Sequence, residues 1–472
     1  MYKEQLIKID ESTYELPRSG KMLVPGKIFV SDSLLKYVDE NSLKQISNVA
    51  TLPGILERSI GMSDIHLGYG FPIGGVAAFD IDKGVVSPGG VGYDINCSVR
   101  LLKTSLKASD LVGKESELAR SLFRAIPSGV GRGGDLKLSD EELDEVLVGG
   151  AQWAVANGYG NEGDWKHIEE EGKMDGANPK NVTVRAKGRG RGQLGSLGAG
   201  NHFLDVLVVD ELFDSKVAKV FGLEVGQVVI LIHCGSRGLG HQVASDYIKL
   251  MEKEYGYPDY DRELVNAPIK SELGKKYLSA MACAANFAFA NKQIITHFVR
   301  EDMKNYFPDF KAEVVYDICH NIAKFEKHNV NGKEKNVLIM RKGATRSFGP
   351  GRKEIPEDYR KVGQPVLIPG SMGTSSYVLV GTKKAEEISW GSTAHGSGRV
   401  RSRTEAKKKM SFEDAKKDMK ERGVFVEFGG QRGLVEESPF SYKDIDEVVR
   451  VSNEAGLGKK VARLKPVLVI IG

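Results

Sequence analysis

Gly89-Gly90-Val91-Gly92-Tyr93-Asp94-Ile95-Asn96-Cys97 is the stretch on which the reading of this chain turns. Its glycines open backbone conformations closed to other residues, and the turn delivers a carboxylate and a thiol three positions apart. At that spacing Asp94 and Cys97 can aim at one point, as two anionic ligands of a cation do. Alone, Asp-x-x-Cys equally describes a turn aspartate beside a buried, inert cysteine. The deciding matter is whether the chain brings further ligands to similar turns.

Four histidines answer. Gly195-Ser196-Leu197-Gly198-Ala199-Gly200-Asn201-His202-Phe203-Leu204-Asp205 runs into the strand-like Val206-Leu207-Val208-Val209 and presents His202 at the lip of a glycine loop. The apolar run Val228-Val229-Ile230-Leu231-Ile232 reads as a buried strand that ends in His233-Cys234-Gly235-Ser236-Arg237-Gly238. A further strand over 312–317 precedes Cys319-His320-Asn321, and Ser389-Trp390-Gly391-Ser392-Thr393-Ala394-His395-Gly396-Ser397-Gly398-Arg399 again sets a histidine among glycines. Upstream, Asp64 and His66 fall in a segment punctuated by glycine and proline; it reads either as a polar loop or as support for a catalytic centre.

Cations are interleaved with these turns. Lys187-Gly188-Arg189-Gly190-Arg191-Gly192 reads as a flexible loop that meets either water or phosphates. Residues 340–346 gather Arg341, Lys342 and Arg346, and Arg399, Arg401 and Arg403 follow His395. The loop Ile368-Pro369-Gly370-Ser371-Met372-Gly373-Thr374-Ser375-Ser376-Tyr377 offers small hydroxyl side chains and backbone amides suited to a nucleotide. Residues 243–255 and 270–305 read as helices, with Cys283 and His297 structural. The stretch 160–182 reads as a polar surface excursion, and 129–134 as a glycine-rich break.

Composition sets the frame. A chain of 472 residues with 41% hydrophobic and 28% charged content has the balance of an ordinary globular protein. Met1-Tyr2-Lys3-Glu4-Gln5-Leu6 carries charge where a signal peptide is apolar, and no apolar run approaches the roughly 20 residues that span a bilayer. Four cysteines in so long a chain do not form a disulfide framework, which favours a reducing, cytoplasmic setting without a membrane. The net charge of +4 leaves any polyanion site to local clustering.

One thiolate, one carboxylate and three imidazoles could hold two divalent ions if the thiolate bridges them, and two-metal sites favour in-line displacement at phosphorus. The fourth imidazole is then available as a nucleophile toward an α-phosphate.

Tyr93-Asp94-Ile95-Asn96-Cys97, Gly200-Asn201-His202-Phe203, His233-Cys234-Gly235-Ser236-Arg237-Gly238, His320-Asn321 and His395-Gly396-Ser397-Gly398-Arg399 resemble the RtcB family of RNA-splicing ligases, in order and spacing, from about residue 20 onward. The resemblance implies an α+β fold of the family's own: one large catalytic domain over residues 1–472, with mixed sheets around a deep metal- and nucleotide-binding cleft. It implies two Mn²⁺ ions and GTP. The substrates are RNA ends, a 3′-phosphate or 2′,3′-cyclic phosphate and a 5′-hydroxyl, as in tRNA exon halves or damaged RNA. Archease enters as a candidate activating partner.

By the same resemblance Cys97 bridges two metals, with Asp94 and His202 on one and His233 and His320 on the other. His395 is guanylylated, and GMP passes to the RNA 3′-phosphate before the 5′-hydroxyl displaces it. Asn201, His202, Phe203, Leu204, Asp205, His320, Asn321, Pro369, Gly370, Ser371, Met372, Ser376, His395, Gly396, Ser397, Gly398 and Ile471 fall at nucleotide-contacting positions. Arg189, Arg237, Lys342, Arg399 and Arg403 are candidates for holding phosphates of GTP or RNA. Thiolate and imidazole also suit Zn²⁺, so Mn²⁺ is the family's assignment and not the spacing's.

Two positions depart from the family pattern. Asp205 stands where a glutamate usually contacts guanine, and Ile471 precedes Gly472 where the family has lysine. Both bear on guanine recognition, which is expected to be weakened or differently built, so a ligase of altered nucleotide preference is one alternative. A metal-dependent cyclic phosphodiesterase or phosphatase is another, since the same ligands would serve it without His395. A non-catalytic RNA-binding subunit would be expected to have lost a ligand or the nucleophile, and none is lost.

Overall fold

The computed structural model describes residues 1–472 apart from Val130, Arg132 and Asp135, so part of the glycine-rich break at 129–134 lies outside the described residues. Two large sheets carry the architecture. One has seven strands in the order Ile7–Asp10, Thr13–Leu16, Gly26–Ile28, Ile55–His66, Ile73–Asp80, Lys333–Lys342, Asn321–Val330. The other has eight; its main path runs Ala312–Cys319, Ser98–Lys107, Gln227–Cys234, Phe203–Leu212, Lys459–Ile471, Ser376–Val380, Pro365–Ile368. Phe425–Phe428 adds to Lys459–Ile471 in parallel, and Gly26–Ile28 pairs in parallel with Ile55–His66, so both sheets are mixed.

Register, more than any single contact, explains why the site lies where it does. Ser98 pairs with both Cys234 and Cys319, Phe203 with His233, and Ile471 with Phe203. The turns carrying Cys97, His202, His233 and His320 therefore emerge from one end of the eight-stranded sheet. In the seven-stranded sheet His66 pairs with Ile73, Lys342 with Gly75, and Asn321 with Lys342. The chain passes from one sheet to the other at Cys319-His320-Asn321, so the ends of the two sheets face each other with His320 at the seam. A short ladder of Ala344–Arg346 with Ser392–Ala394 brings His395 to the same place.

The strands read as apolar runs because they are covered on both faces. Behind them lies the 33-residue helix Glu272–Lys304, capped by the Ser271 hydroxyl, which accepts from the amide of Gly274. Its Ala- and Phe-rich face, including Cys283, is core, as the sequence reading holds for this helix. His297 packs edge-on against Tyr159. Among the described residues no helix is long and apolar enough to cross a membrane.

Several local expectations need correction. Asp64 and His66 are not in a loop; they end the strand Ile55–His66. Residues 184–190 form a helix, with the Thr183 hydroxyl as its cap. The stretch 160–182 is not a surface excursion: Asp164 binds Arg300 at 2.8 Å, and Glu169, 1% exposed, binds Lys324 at 2.9 Å and Arg346 at 3.1 Å. Acidic residues are buried there because cations from the core meet them. Glu169 also accepts from the amide of Cys319 at 2.6 Å and so braces the strand end that carries His320. Of the cations in 340–346, Arg341 is spent on Glu326 at 2.6 Å and Arg346 on Glu169; only Lys342 faces the cleft.

The sheet end is held by a second buried ion group. Arg100 donates to Asp317 at 2.9 Å with both side chains fully buried, and Lys292 lies 3.6 Å from the same carboxylate. Asp317→Ala strands two cations in the core and is expected to destabilise the fold by about 3–5 kcal/mol. A wild-type melting temperature for this variant would refute that expectation.

Candidate active site

Five of the singled-out side chains converge. Cys97 Sγ lies 3.4 Å from His202 Nε2 and 3.2 Å from His233 Nε2. His233 Nε2 is 3.2 Å from His320 Nε2, and His202 Nε2 is 2.7 Å from Asp94 Oδ2. Two triads result, Asp94–Cys97–His202 and Cys97–His233–His320, each with its ligand atoms within 4.8 Å of one another and with Cys97 common to both.

The electrostatics fit a pair of cations. Burial, and then the neighbouring His202, keep His233 well below its ordinary pKa; burial, and then His395, do the same for His320. Two neutral imidazoles thus face each other with Nε2 atoms 3.2 Å apart, an arrangement in which a divalent ion can take a lone pair from each. Burial and the adjacent Asp94 push the Cys97 thiol up to about 12 in the protein alone; a bound cation reverses that and makes the thiolate. Against its own burial, Asp94 is held at about 2 by His202. The close fit extends to the backbone, for a Cβ at Gly235 would lie 2.4 Å from Asp94 Oδ1.

His395 stands beside this group, its ring centroid 4.8 Å from that of His320. Its Nδ1 hydrogen-bonds Asp64 Oδ2 at 2.6 Å, and the same oxygen accepts from the amides of His395 at 3.0 Å and Gly396 at 3.3 Å. Burial opposes charge on Asp64, but His395 outweighs it and holds the carboxyl below its usual range. A carboxylate accepts from Nδ1–H, so Nε2 keeps its lone pair for attack. Gly398, at φ +71°, passes so close that a Cβ would meet the Asp64 carbonyl oxygen at 2.2 Å. Lys443 donates to the carbonyls of Ser63 and Ile65 and holds this strand end in place.

Two cavities meet at His395. A cleft of about 970 Å³ contains both triads together with Arg189, Arg237, Lys342, Asn321 and Arg403. A narrower pocket is walled by Asn201, Phe203, Pro369, Gly370, Ser371, Met372, Gly396, Ser397, Gly398 and Ile471, and by Arg399, Glu437 and Tyr442. The long side chains are preorganised. Arg399 and Arg403 both bind the buried Glu437, at 3.1 and 3.2 Å, and Arg189 donates to Gln242 at 3.0 Å. Arg237 donates to Ser196 at 3.3 Å, and Lys342 to the Tyr69 carbonyl. Burial lowers Lys342 to about 7, so an incoming phosphate would favour its charged form.

Three expected nucleotide contacts are placed differently. Leu204 points away from the pocket into the core with Ile230 and Leu468, because strand alternation puts it opposite Phe203. Asn321 lines the metal-side cleft, and its amide is already engaged: Nδ2 donates to the Asp94 carbonyl at 3.0 Å and Oδ1 accepts from the Gly343 amide at 2.9 Å. Ser376 supports the pocket from behind, accepting from the Gly370 amide at 3.0 Å. Asp205 lies on the Phe203 face, buried, with Oδ1 unpartnered, and burial alone drives its pKa well up. The sequence reading missed Glu437 and Tyr442 and left Asp64 undecided. Nothing local marks the first two, whereas Asp64 stands two residues before His66 in an otherwise apolar segment.

The family model described as tRNA-splicing ligase RtcB matches residues 45–472. Similar curated proteins carry the same name. One from Archaeoglobus fulgidus is 53% identical over 476 residues, 99% of both chains. Another, from Thermococcus kodakarensis, is 51% identical over 476 residues, again 99% of both, and one from Methanococcus maripaludis is 50% identical over 479 residues, the whole of each. With its twin ligand triads, a family model that matches residues 45–472 and relatives about half identical over nearly the whole length, the chain belongs to the tRNA-splicing ligase RtcB family, a family of RNA ligases.

Proposed function

We propose that the protein joins an RNA 3′-phosphate or 2′,3′-cyclic phosphate end to a 5′-hydroxyl end, using GTP and forming a guanylyl adduct on His395. The observation that carries this reading is His395, with Nδ1 bonded to Asp64, at the meeting point of a narrow pocket and a cleft that holds two triads sharing Cys97. A two-metal hydrolase that activates water on its ions needs neither that nucleophile nor the adjoining pocket. The relatives' names support RNA, and tRNA halves in particular, as substrate. Residues 1–472 would work as one catalytic unit, in a reducing compartment such as the cytoplasm, where four free cysteines persist. Archease remains a candidate activator.

His395 Nε2 attacks the α-phosphate of GTP, with pyrophosphate leaving. The RNA 3′-phosphate then takes GMP from His395, which makes that phosphorus susceptible to attack and GMP a good leaving group. Finally the 5′-hydroxyl forms the phosphodiester. Asp94, Cys97 and His202 would hold one Mn²⁺ and Cys97, His233 and His320 a second; bound there, the ions offset charge on phosphoryl oxygens. Arg189, Arg237, Lys342 and Arg403 line the path of the RNA phosphates, and Arg399 the pocket side. The orphan Oδ1 of Asp205 suits the N–H donors of a guanine edge, whereas Ile471 offers the base only apolar contact.

Incubation with Mn²⁺ and α-labelled GTP or ATP tests this directly. Acid-labile, alkali-stable label on the protein is expected from both nucleotides, with GTP ahead by a smaller margin than in an Asp205→Glu/Ile471→Lys variant. An equally strong GTP preference in the unaltered protein would refute the weakened-selectivity reading. Absence of label from either nucleotide would favour the cyclic phosphodiesterase.

A further inference from the structure

Four side chains, His66, Asn201, His233 and His395, line both the nucleotide pocket and the metal-side cleft, and so surround the point where phosphoryl groups must change hands. His233 and His395 have roles in the mechanism above, and Asn201 accepts from Arg403 at 3.3 Å. His66 has no role there. Its Nδ1 is 2.9 Å from the main-chain carbonyl of Asp64. A carbonyl only accepts, so Nδ1 carries the proton and Nε2, on the opposite edge of the ring, carries a lone pair. Among the described residues nothing hydrogen-bonds to Nε2. Asp64 thus fixes two tautomers, that of His395 through its carboxylate and that of His66 through its carbonyl.

An acceptor fixed at this junction needs a group with a proton to lose. Attack by neutral His395 on GTP loses none at Nε2, and the RNA 3′-phosphate attacks as an anion. Beyond the water that must open a 2′,3′-cyclic end, only the sealing step has a protonated nucleophile. We propose that His66 is the general base for sealing: Nε2 takes the proton of the 5′-hydroxyl as O5′ bonds to the activated 3′-phosphorus. The P–O bond to GMP breaks, GMP departs with the electron pair, and the imidazolium then returns its proton to solvent. This rests on the ligase reading and deepens it. Burial lowers His66 to about 4, despite the opposing bond to Asp64, so the ring is in its base form throughout the neutral range; a phosphate bound beside it raises its basicity.

The test uses His66→Asn, whose amide can still donate to the Asp64 carbonyl while lacking Nε2. Three steps are timed separately: protein labelling by GTP, transfer of GMP to RNA bearing a 3′-phosphate, and sealing of the isolated activated RNA. Labelling and transfer are expected to persist, sealing to slow by about 10²- to 10⁴-fold, and activated RNA to accumulate. A strand ending in a 5′-thiol, largely ionised without help near its pKa of about 8.5, should recover most of the loss. Equal slowing of all three steps, undiminished sealing, or a defect no smaller with the thiol would overturn the assignment. A defect that vanishes when the terminal ribose lacks its 2′-hydroxyl would place His66 on that hydroxyl instead. If the unaltered protein takes no label, the ligase reading itself falls, and the base with it.

Discussion

Alanine at His395 is expected to leave no covalently bound nucleotide and to lower ligation by about 10⁴-fold or more, the scale on which loss of a nucleophile is felt. The companion variant Asp64→Asn is the sharper probe. Asp64 Oδ2 takes three hydrogen bonds, from Nδ1 and two amides of the His395 turn, and an asparagine oxygen can accept all three while bringing no charge. The imidazole then loses the negative charge that holds its proton on Nδ1 and stabilises the imidazolium character gained on attack. Adduct formation should fall by about 10³- to 10⁴-fold, as for a catalytic histidine whose carboxylate is made neutral. Single-turnover labelling beside equilibrium nucleotide binding separates chemistry from occupancy. Label retained by His395→Ala would put the nucleophile elsewhere, and an unimpaired Asp64→Asn would reduce the carboxylate to scaffolding.

Cys97→Ala is expected to be nearly as damaging, for a different reason. Cys97 is the one side chain common to both ligand triads, so its loss removes a ligand from each. Elemental analysis should find fewer than two ions per chain, and the rate should fall by roughly 10³-fold, since metal charge compensation is worth several kcal/mol. Because the thiol rises to about 12 in the protein alone, loading must expel its proton, and metal affinity should weaken as pH falls. Cys97→Ala should flatten that dependence. Full metal content in the variant would show that the ions do not share this atom.

The ligands were legible because each histidine stands beside glycine or at the end of an apolar run, and strand register then carries those turns to one sheet end. Asp64 was only half legible, because its partner lies 331 residues away and no local pattern links them. Charge was the least readable feature. Arg341 and Arg346 look like Lys342 in the sequence, yet two are spent on buried carboxylates and one faces the cleft. The acidic residues of 160–182 look solvated for the same reason: pairing depends on a partner that only the fold supplies. Leu204 sits in a motif of pocket residues, but strand alternation turns its side chain into the core.

The strand Lys459–Ile471 is made after every other member of the eight-stranded sheet, yet it lies inside that sheet, between Phe203–Leu212 and Ser376–Val380. During synthesis the sheet therefore exists as a four-stranded piece, a two-stranded piece and the lone strand Phe425–Phe428, each with an open edge of unpaired amides and carbonyls. Local pairing cannot close the gap, since the joining partners lie far apart along the chain. The ribosome-bound protein must wait with those edges exposed, and chaperone protection belongs to that interval. The same strand supplies Val469 and Ile471 to the nucleotide pocket, so the pocket and the closed sheet arise in one event. A chain that has not finished folding therefore lacks the wall of the pocket beside His395.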